Sequence, residues 1–211
     1  MLFLDELPEY RRDVLEALRQ PLEDGFVTIT RVSAQATYPA DFVLVCSMNP
    51  CPCGNLGSRT RPCRCTPTEI RRYLNRISGP LLDRIDMHIE VESIPAERLS
   101  QDAPEESSDA VRRRVEAARA VQRARYAGDP AGIRINAQLS ARNLNAACPM
   151  RDDARELLLL SCERLHLSNR AYTRILKVAR TIADLEGAQE ITAEHISESV
   201  QYRTLDRKYW G

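Results

Sequence analysis

Met1-Leu2-Phe3-Leu4-Asp5-Glu6 opens the chain as an apolar run that ends in two adjacent carboxylates. A strand buried on both faces of a sheet reads as an unbroken apolar run, and in open α/β sheets the ligand sits beyond the carboxyl ends of the strands. Asp5 and Glu6 are therefore expected to face a ligand, in the arrangement by which nucleotide hydrolases hold magnesium and aim a water. The competing reading is a strand end with solvated acids, because four apolar residues before an acidic pair also occur by chance.

A second run of the same kind, Phe42-Val43-Leu44-Val45-Cys46, ends in Ser47-Met48-Asn49-Pro50, so another strand delivers Asn49 to its carboxyl end. Between the two runs, Arg11 to Gln20 places Val14, Leu15 and Leu18 on one face of a short helix that Pro21 is expected to stop. Phe26 to Thr30 alternates after Asp24-Gly25, and Ser33 to Thr37 can return beside it as a hairpin. Beyond residue 50, a helix from about Thr68 to Ile77, capped by Thr66 or Thr68, leads to Gly79-Pro80-Leu81-Leu82-Asp83-Arg84. Ile85, Met87, Ile89 and Val91 then alternate with Asp86, His88 and Glu90, which predicts a strand over 85–91 with one wetter face.

Residues 95–109, with Pro95, Pro104 and several serines and acids, read as a linker, and the remainder as helices. Val111 to Tyr126 is rich in arginine and is ended by Gly128-Asp129-Pro130-Ala131-Gly132. Met150 to Leu165 is expected to bury Ala154, Leu157, Leu158 and Leu165. Ser168 to Glu186 is expected to bury Ala171, Ile175, Val178, Ile182 and Leu185, with Gly187 as its stop. Thr192 caps a last helix, with Ile191 and Ile196 placed as a hydrophobic staple.

The 30 basic residues balance the 30 acidic ones, so any nucleic-acid surface must come from local clustering. No apolar run approaches a membrane span and the start lacks the pattern of a secretory signal, which makes the cytoplasm the default compartment. Seven cysteines in a reducing compartment are thiols, metal ligands or core residues rather than a disulfide framework.

Four of them, Cys51, Cys53, Cys63 and Cys65, form Cys-x-Cys, nine residues, Cys-x-Cys in a loop with little core of its own. Four thiolates suit tetrahedral zinc, whose binding would supply the folding free energy of the loop; reduced, unligated thiols are the alternative. Arg59, Arg61 and Arg64 in the same loop either neutralise such a centre or contact phosphate. Cys46, Cys148 and Cys162 sit in apolar settings and read as core, and His88, His166 and His195 are isolated and carry no assigned role.

Arg170 falls in the first turn of the helix begun by Ser168, where the macrodipole disfavours a cation and an anion should compensate, either a nucleotide phosphate or a carboxylate such as Glu163. Arg84 reads equally as a phosphate-reaching arginine or a partner of Asp83 or Asp86. Arg112, Arg113, Arg114, Arg119, Arg123 and Arg125 surround their helix and read as a solvated surface. Gly-x-x-x-x-Gly-Lys-Ser/Thr, the usual phosphate cradle, is absent from these 211 residues.

Leu2-Phe3-Leu4-Asp5-Glu6-Leu7-Pro8-Glu9, the hairpin before Asp41, Ser47-Met48-Asn49-Pro50-Cys51-Pro52-Cys53-Gly54, Ser78-Gly79-Pro80-Leu81-Leu82-Asp83-Arg84-Ile85-Asp86 and the Ser168-to-Gly187 helix together resemble one family. It is the magnesium-chelatase-related AAA+ ATPases of the YifB/ComM type. The resemblance implies an α/β fold: the C-terminal half of an AAA+ core with an incomplete parallel sheet (1–95), a linker and arginine-rich helix (96–140), and an all-α lid (141–211). It implies ATP and Mg2+, with Asp5 as the Walker B magnesium residue, Glu6 as the water-polarising base and Asn49 as sensor 1. Arg84 would be the arginine finger and Arg170 the sensor 2 arginine of the lid. The hairpin is similar to the pore-facing insertion of the helicase-like clade, which implies DNA as the polymer moved and a homo-oligomeric ring, of the hexamer type, as the assembly.

Family members carry a Walker A strand between the sensor 1 strand and the strand after the arginine finger, ahead of the residue numbered Met1 here. Strands 42–46 and 85–91 are accordingly expected to leave a gap or to pair wrongly, with apolar edges exposed, and the chain alone to lack ATPase activity. Two other functions remain open: a magnesium or cobalt chelatase-like ATPase subunit, and a zinc-stapled nucleic-acid-binding module without ATPase activity.

Overall fold

The computed structural model describes residues 1–32, 34–58, 60–92 and 106–210, without the side chains of 206–208. Arg59 and most of the expected 95–109 linker lie outside the described residues. The chain forms two compact units, Met1–Ile85 with Glu90–Ser93 and Lys208–Gly211, and Asp86–Ile89 with Ile94–Arg207. Each is taken by itself.

In the first unit, β1 (Leu2–Leu4) leads through a 3-10 turn, Leu7–Glu9, to α1 (Arg12–Ala17) and α2 (Arg19–Asp24). Pro21 does not stop the helical run as expected. It sits in the first turn of α2, where a missing N–H costs no intrahelical hydrogen bond. Gly25, at φ 73, closes α2 in the left-handed region and starts the hairpin of β2 (Phe26–Arg31) and β3 (Ala34–Pro39). These strands pair antiparallel with Thr28 opposite Thr37, their hydroxyls 3.1 Å apart.

β4 (Leu44–Cys46) pairs in parallel with β1, Leu2 opposite Leu44 and Leu4 opposite Cys46. The chain is thus mixed α/β with a parallel pair, and β4 is shorter than the apolar run that predicts it. The strand expected over 85–91 does not form: residues 85–92 carry no strand, and Met87, Ile89 and Val91 are exposed. Alternation makes a strand only where a neighbour completes the ladder of hydrogen bonds, and the His88 N–H is instead taken by the Tyr202 carbonyl at 2.8 Å. Phe3 (58% exposed) and Val43 (62%) also face solvent, which is unusual for residues at a parallel pair.

α3 (Pro67–Leu74) is capped by Thr66 in a reciprocal box with Glu69, and α4 (Gly79–Leu82) by Ser78. Thr66, not Thr68, is therefore the cap. Leu7, Leu15, Ile77, Leu81 and Leu82 form the core of this unit, with Leu4, Cys46, Met48 and Trp210 packed against it.

The second unit is helical: α5 (Ser108–Arg125), α6 (Ala141–Ala147), α7 (Asp152–Leu165), α8 (Asn169–Glu186), α9 (Ala193–Gln201) and the start of α10 (Thr204–Trp210). α6 and α10 are not expected from the sequence. Ser168 caps α8, Gly187 (φ 74) ends it, and Thr192 caps α9 with Ile191 and Ile196 both fully buried. α8 buries a wider face than expected. Ala171, Ile175 and Ile182 are inside, but Val178 is only half-buried and Leu185 is exposed, while Leu176, Ala179, Arg180, Ala183 and Asp184 are buried. The apolar spacing placed the stripe too far round because two charged residues occupy the interior.

Candidate functional site

The parallel pairing of β1 and β4 brings two polar strand ends side by side. Beyond the paired residues the Ser47 N–H donates to the Leu4 carbonyl at 3.0 Å and the Leu7 N–H to the Ser47 carbonyl at 2.9 Å, so the backbones stay in register past the acidic pair. Asp5 accepts a hydrogen bond from the Ser47 hydroxyl and another from the Glu6 N–H at 3.0 Å. Both hydrogen bonds fall on Oδ1, so that oxygen is fixed by the neighbouring strand and its own backbone and the carboxylate is oriented through it. Glu6 is exposed and holds φ 52, ψ 49, a left-handed conformation uncommon for a residue with a side chain. A strained residue of this kind directs its side chain away from the path a regular strand would give it.

Asn49 is exposed two residues beyond Ser47. Its backbone hydrogen-bonds the hydroxyl of Tyr73, whose acidity is lowered mainly by burial, with Glu9, Cys51 and Glu6 as nearby negative or thiol groups. A Cβ at Gly54 would meet the Asn49 Oδ1 at 3.7 Å, so the turn after Cys53 packs against the amide. Asp5, Glu6 and Asn49 therefore share one end of the β1–β4 pair, as the two sequence runs imply.

Arg84, at the end of α4, is not turned toward a solvent-facing position. Its side chain is 6% exposed, pairs with Glu23, and donates to the Pro80 carbonyl at 2.7 Å. Its Nε has no hydrogen-bond partner among the described residues. Of the partners considered from sequence, Asp86 pairs with Arg174 of α8 instead. Arg170 lies in the first turn of α8 with its side chain exposed.

Cys51, Cys53, Cys63 and Cys65 converge with all four Sγ atoms within 4.8 Å of one another. The Cys51–Cys53 separation is 3.5 Å, and Cys63 lies 3.6 Å from each of them. Tetrahedral coordination at a Zn–S distance of about 2.3 Å requires sulfurs about 3.8 Å apart, so the cluster could hold a metal with little adjustment. Backbone N–H groups of Arg64 and Asn55 draw the Cys53 thiol down to about 6, which favours the thiolate a metal needs. Desolvation and the neighbouring Cys53 push Cys65 up to about 12, as expected when several thiols crowd one space. The other three cysteines behave differently. Cys148 is buried in the core of the second unit, Cys46 and Cys162 are half-buried, and burial raises all three thiols.

Sequence reasoning missed a buried polar network. Asp184 accepts from Arg125, from Asn136 Nδ2 at 2.8 Å and from Arg180 Nε at 3.1 Å. Arg125 thus leaves the solvated set in which its helix placed it, whereas Arg112, Arg113, Arg114, Arg119 and Arg123 are exposed. The available signal was Arg180 and Asp184 at i, i+4 on the apolar side of a helix.

Residues 1–99 match the family described as magnesium chelatase, subunit ChlI, and residues 105–203 match magnesium chelatase, subunit ChlI C-terminal. The chain belongs to the magnesium chelatase ChlI-related family. Within it, the chain is 46% identical over 209 residues to the competence protein ComM of Haemophilus influenzae. It is 45% identical over 208 residues to an uncharacterized protein YifB of Salmonella typhimurium, and 44% identical over 208 to its namesake in Escherichia coli K12. Each match covers 98% of this chain but 39% of ComM and 40% of each YifB, so the chain spans about two fifths of the length of these relatives.

Proposed function

We propose that this chain forms the C-terminal part of a ring-forming AAA+ ATPase that couples ATP hydrolysis to the remodelling of DNA, in the manner of a helicase or branch-migration motor. The observation that carries this reading is the Asp5–Ser47 hydrogen bond, which orients a carboxylate at the end of one strand from the end of the strand that bears Asn49. In this assignment Asp5 holds Mg2+, Glu6 polarises the attacking water and Asn49 hydrogen-bonds the γ-phosphate or that water. Phosphoryl transfer needs positioning and charge stabilisation more than covalent help, and these three groups supply the magnesium side of it.

Arg84 would complete a nucleotide held by a neighbouring subunit, which requires it to exchange Glu23 for a phosphate on assembly, and Arg170 would serve as the lid's sensor. The four-cysteine loop holds Zn2+. DNA as the polymer is supported by a relative named for competence and by the exposed β2–β3 hairpin.

The test is to substitute these 211 residues for the matching segment of Haemophilus ComM, which restores whatever portion supplies a phosphate cradle. The chimaera should hydrolyse ATP in a magnesium-dependent, DNA-stimulated manner, and Glu6→Gln should lower that rate by about 100-fold or more. Hydrolysis unaffected by Glu6→Gln, or stimulated by a tetrapyrrole and not by DNA, would overturn the assignment, the second outcome in favour of a chelatase subunit. The 211 residues alone should show no hydrolysis, because they include no phosphate loop.

A further inference from the structure

A cleft of about 460 Å³ opens between the segment that follows Glu6 and the last turn of α3, apart from the carboxylates and the cysteine loop. Four guanidinium groups line it: Arg11 and Arg12 from one wall, Arg72 and Arg76 from the other. Two are neutralised locally. Arg11 pairs with Asp13 at 2.7 Å, and Arg76 with Glu9 at 3.0 Å while donating to the Pro8 carbonyl, also at 3.0 Å. The other two, Arg12 and Arg72, have no ion pair or hydrogen bond from their side chains among the described residues. Arg12 acts through space on Glu16 and Arg72 on Glu69, each on its own helix, and Glu69 is already engaged by the Thr66 cap. Two cations without a contact partner facing each other across a concave, solvent-exposed surface make a site for an anion, with an attraction that salt screens.

The neutral lining narrows the ligand. Arg72 lies in the last turn of α3 and Asn75, three residues on, caps its end, so a cation and an amide face the cleft together beside the Arg76–Glu9 pair, donors that can contact a phosphodiester backbone. Tyr10 lies on the same cleft with its side chain exposed, and an exposed ring beside a cationic track is the usual platform for an unpaired base. A compact inorganic anion or a free triphosphate would use the cations but leave the ring idle.

From this arrangement we infer that the cleft between Glu9–Arg12 and Arg72–Arg76 binds single-stranded nucleic acid, with Arg12 and Arg72 on backbone phosphates and Tyr10 stacked on a base. The inference rests on the DNA-acting reading and adds to it a strand-contacting surface on the first unit. It places that surface directly after Glu6 in the chain, so that a bound strand bears on the segment that carries the water-polarising carboxylate.

The test is fluorescence anisotropy of a labelled 30-nucleotide single-stranded DNA with the full 211-residue chain, over a series of salt concentrations. Arg12→Gln with Arg72→Gln should weaken binding roughly tenfold at 0.1 M salt and reduce the slope of log K against log salt by about 1.4, two phosphates at about 0.7 each. Tyr10→Ala should weaken binding with the slope unchanged. Arg112→Gln with Arg113→Gln, on the exposed surface of α5, should do neither. Circular dichroism and the thermal midpoint check that the exposed substitutions leave the fold intact. Equal affinity and slope in the Arg12, Arg72 variant would overturn the inference, as would displacement of the oligonucleotide by ATP or inorganic phosphate at matched phosphate concentration. The ComM chimaera separates the two claims: DNA-stimulated hydrolysis with this cleft silent leaves the motor standing and removes only the cleft.

Discussion

Arg180 and Asp184 lie one turn apart on α8 and are joined by a hydrogen bond from Nε to Oδ1 of 3.1 Å, with neither side chain exposed. The remaining donors of Arg180 reach the Gln189 carbonyl at 2.7 Å and the Ala188 carbonyl at 2.6 Å, just past the end of the helix. Both Asp184 oxygens are shared with Arg125, and one also with Asn136. A buried charge pair is tolerable only when its other hydrogen bonds are made, and here they are. The network ties α5 and the 3-10 turn Asn136–Gln138 to α8.

Removing its centre should therefore be costly. Asp184→Ala leaves two guanidinium groups without their carboxylate, one of them fully buried, and is expected to destabilise the chain by about 3–5 kcal/mol. Urea titration followed by circular dichroism measures it; a loss below 1 kcal/mol would show that water or a rearranged partner replaces the carboxylate.

Acid should act on the same pair. Burial by itself raises the Asp184 carboxyl, but hydrogen bonds from Arg125 and Asn136 and the nearby Arg180 charge outweigh it and hold the group below its ordinary 3.8. Burial pushes Arg180 down, yet a guanidinium stays protonated throughout the relevant range, so the carboxylate alone sets the titration. With a depressed folded value, the stabilisation is complete above 3.8 and is lost as pH falls through the lowered value. Unfolding free energy should therefore fall more steeply below about pH 4 in the parent than in Asp184→Asn, in parallel urea titrations at stepped pH.

The cysteine loop predicts one Zn2+ per chain. Cobalt substitution should give the absorption of a tetrahedral thiolate site, and a chelator should expose residues 51–65 to protease while the helices of the second unit persist. Cys53→Ser should lower metal affinity by about tenfold or more, whereas Cys148→Ser, away from the cluster, should leave stoichiometry unchanged.

Ser47 should matter to catalysis without touching the reacting atoms. In the ComM chimaera, Ser47→Ala frees Asp5 to rotate and is expected to raise the Mg2+ concentration needed for half-maximal hydrolysis several-fold, with a smaller effect on the saturated rate. An unchanged magnesium requirement would argue that the Asp5–Ser47 hydrogen bond orients nothing that the metal uses.

Glu23 and Arg84 offer a check on assembly. If Arg84 leaves Glu23 to meet a neighbour's phosphate, Glu23→Gln should ease that exchange and raise the chimaera's hydrolysis rate or ring population, while Arg84→Ala abolishes hydrolysis and leaves nucleotide binding largely intact. Sedimentation and ATP-binding measurements separate the two effects.

Much of the candidate site was legible because it depends on local chemistry. Apolar runs ending in Asp5-Glu6 and in Ser47-Met48-Asn49 specify strands with polar tips, and both tips lie together. Cys-x-Cys pairs in a proline-rich loop specify a thiolate cluster, and the four sulfurs converge. Residues 85–91 misled because alternation records only which side chains could share a face. Whether a strand forms depends on a partner for its backbone, and His88 donates elsewhere. Pro21 misled for a related reason: its effect depends on where the helix begins, and α2 begins two residues before it.

Sequence alone determined the positions of the carboxylates, the amide and the thiols, the caps at Ser168 and Thr192, and the glycine stops, since these follow from spacing and from the needs of unsatisfied backbone groups within a few residues. Tertiary structure decided that Arg84 is sheathed by Glu23, that Asp5 is held by Ser47, that Arg180 and Asp184 belong to the core, and that Arg12 and Arg72 face one cleft. Each of those outcomes turns on which partner reaches a charge first across tens of residues of chain. The energy of a buried or screened charge depends on that partner, and the order of residues along the chain does not name it.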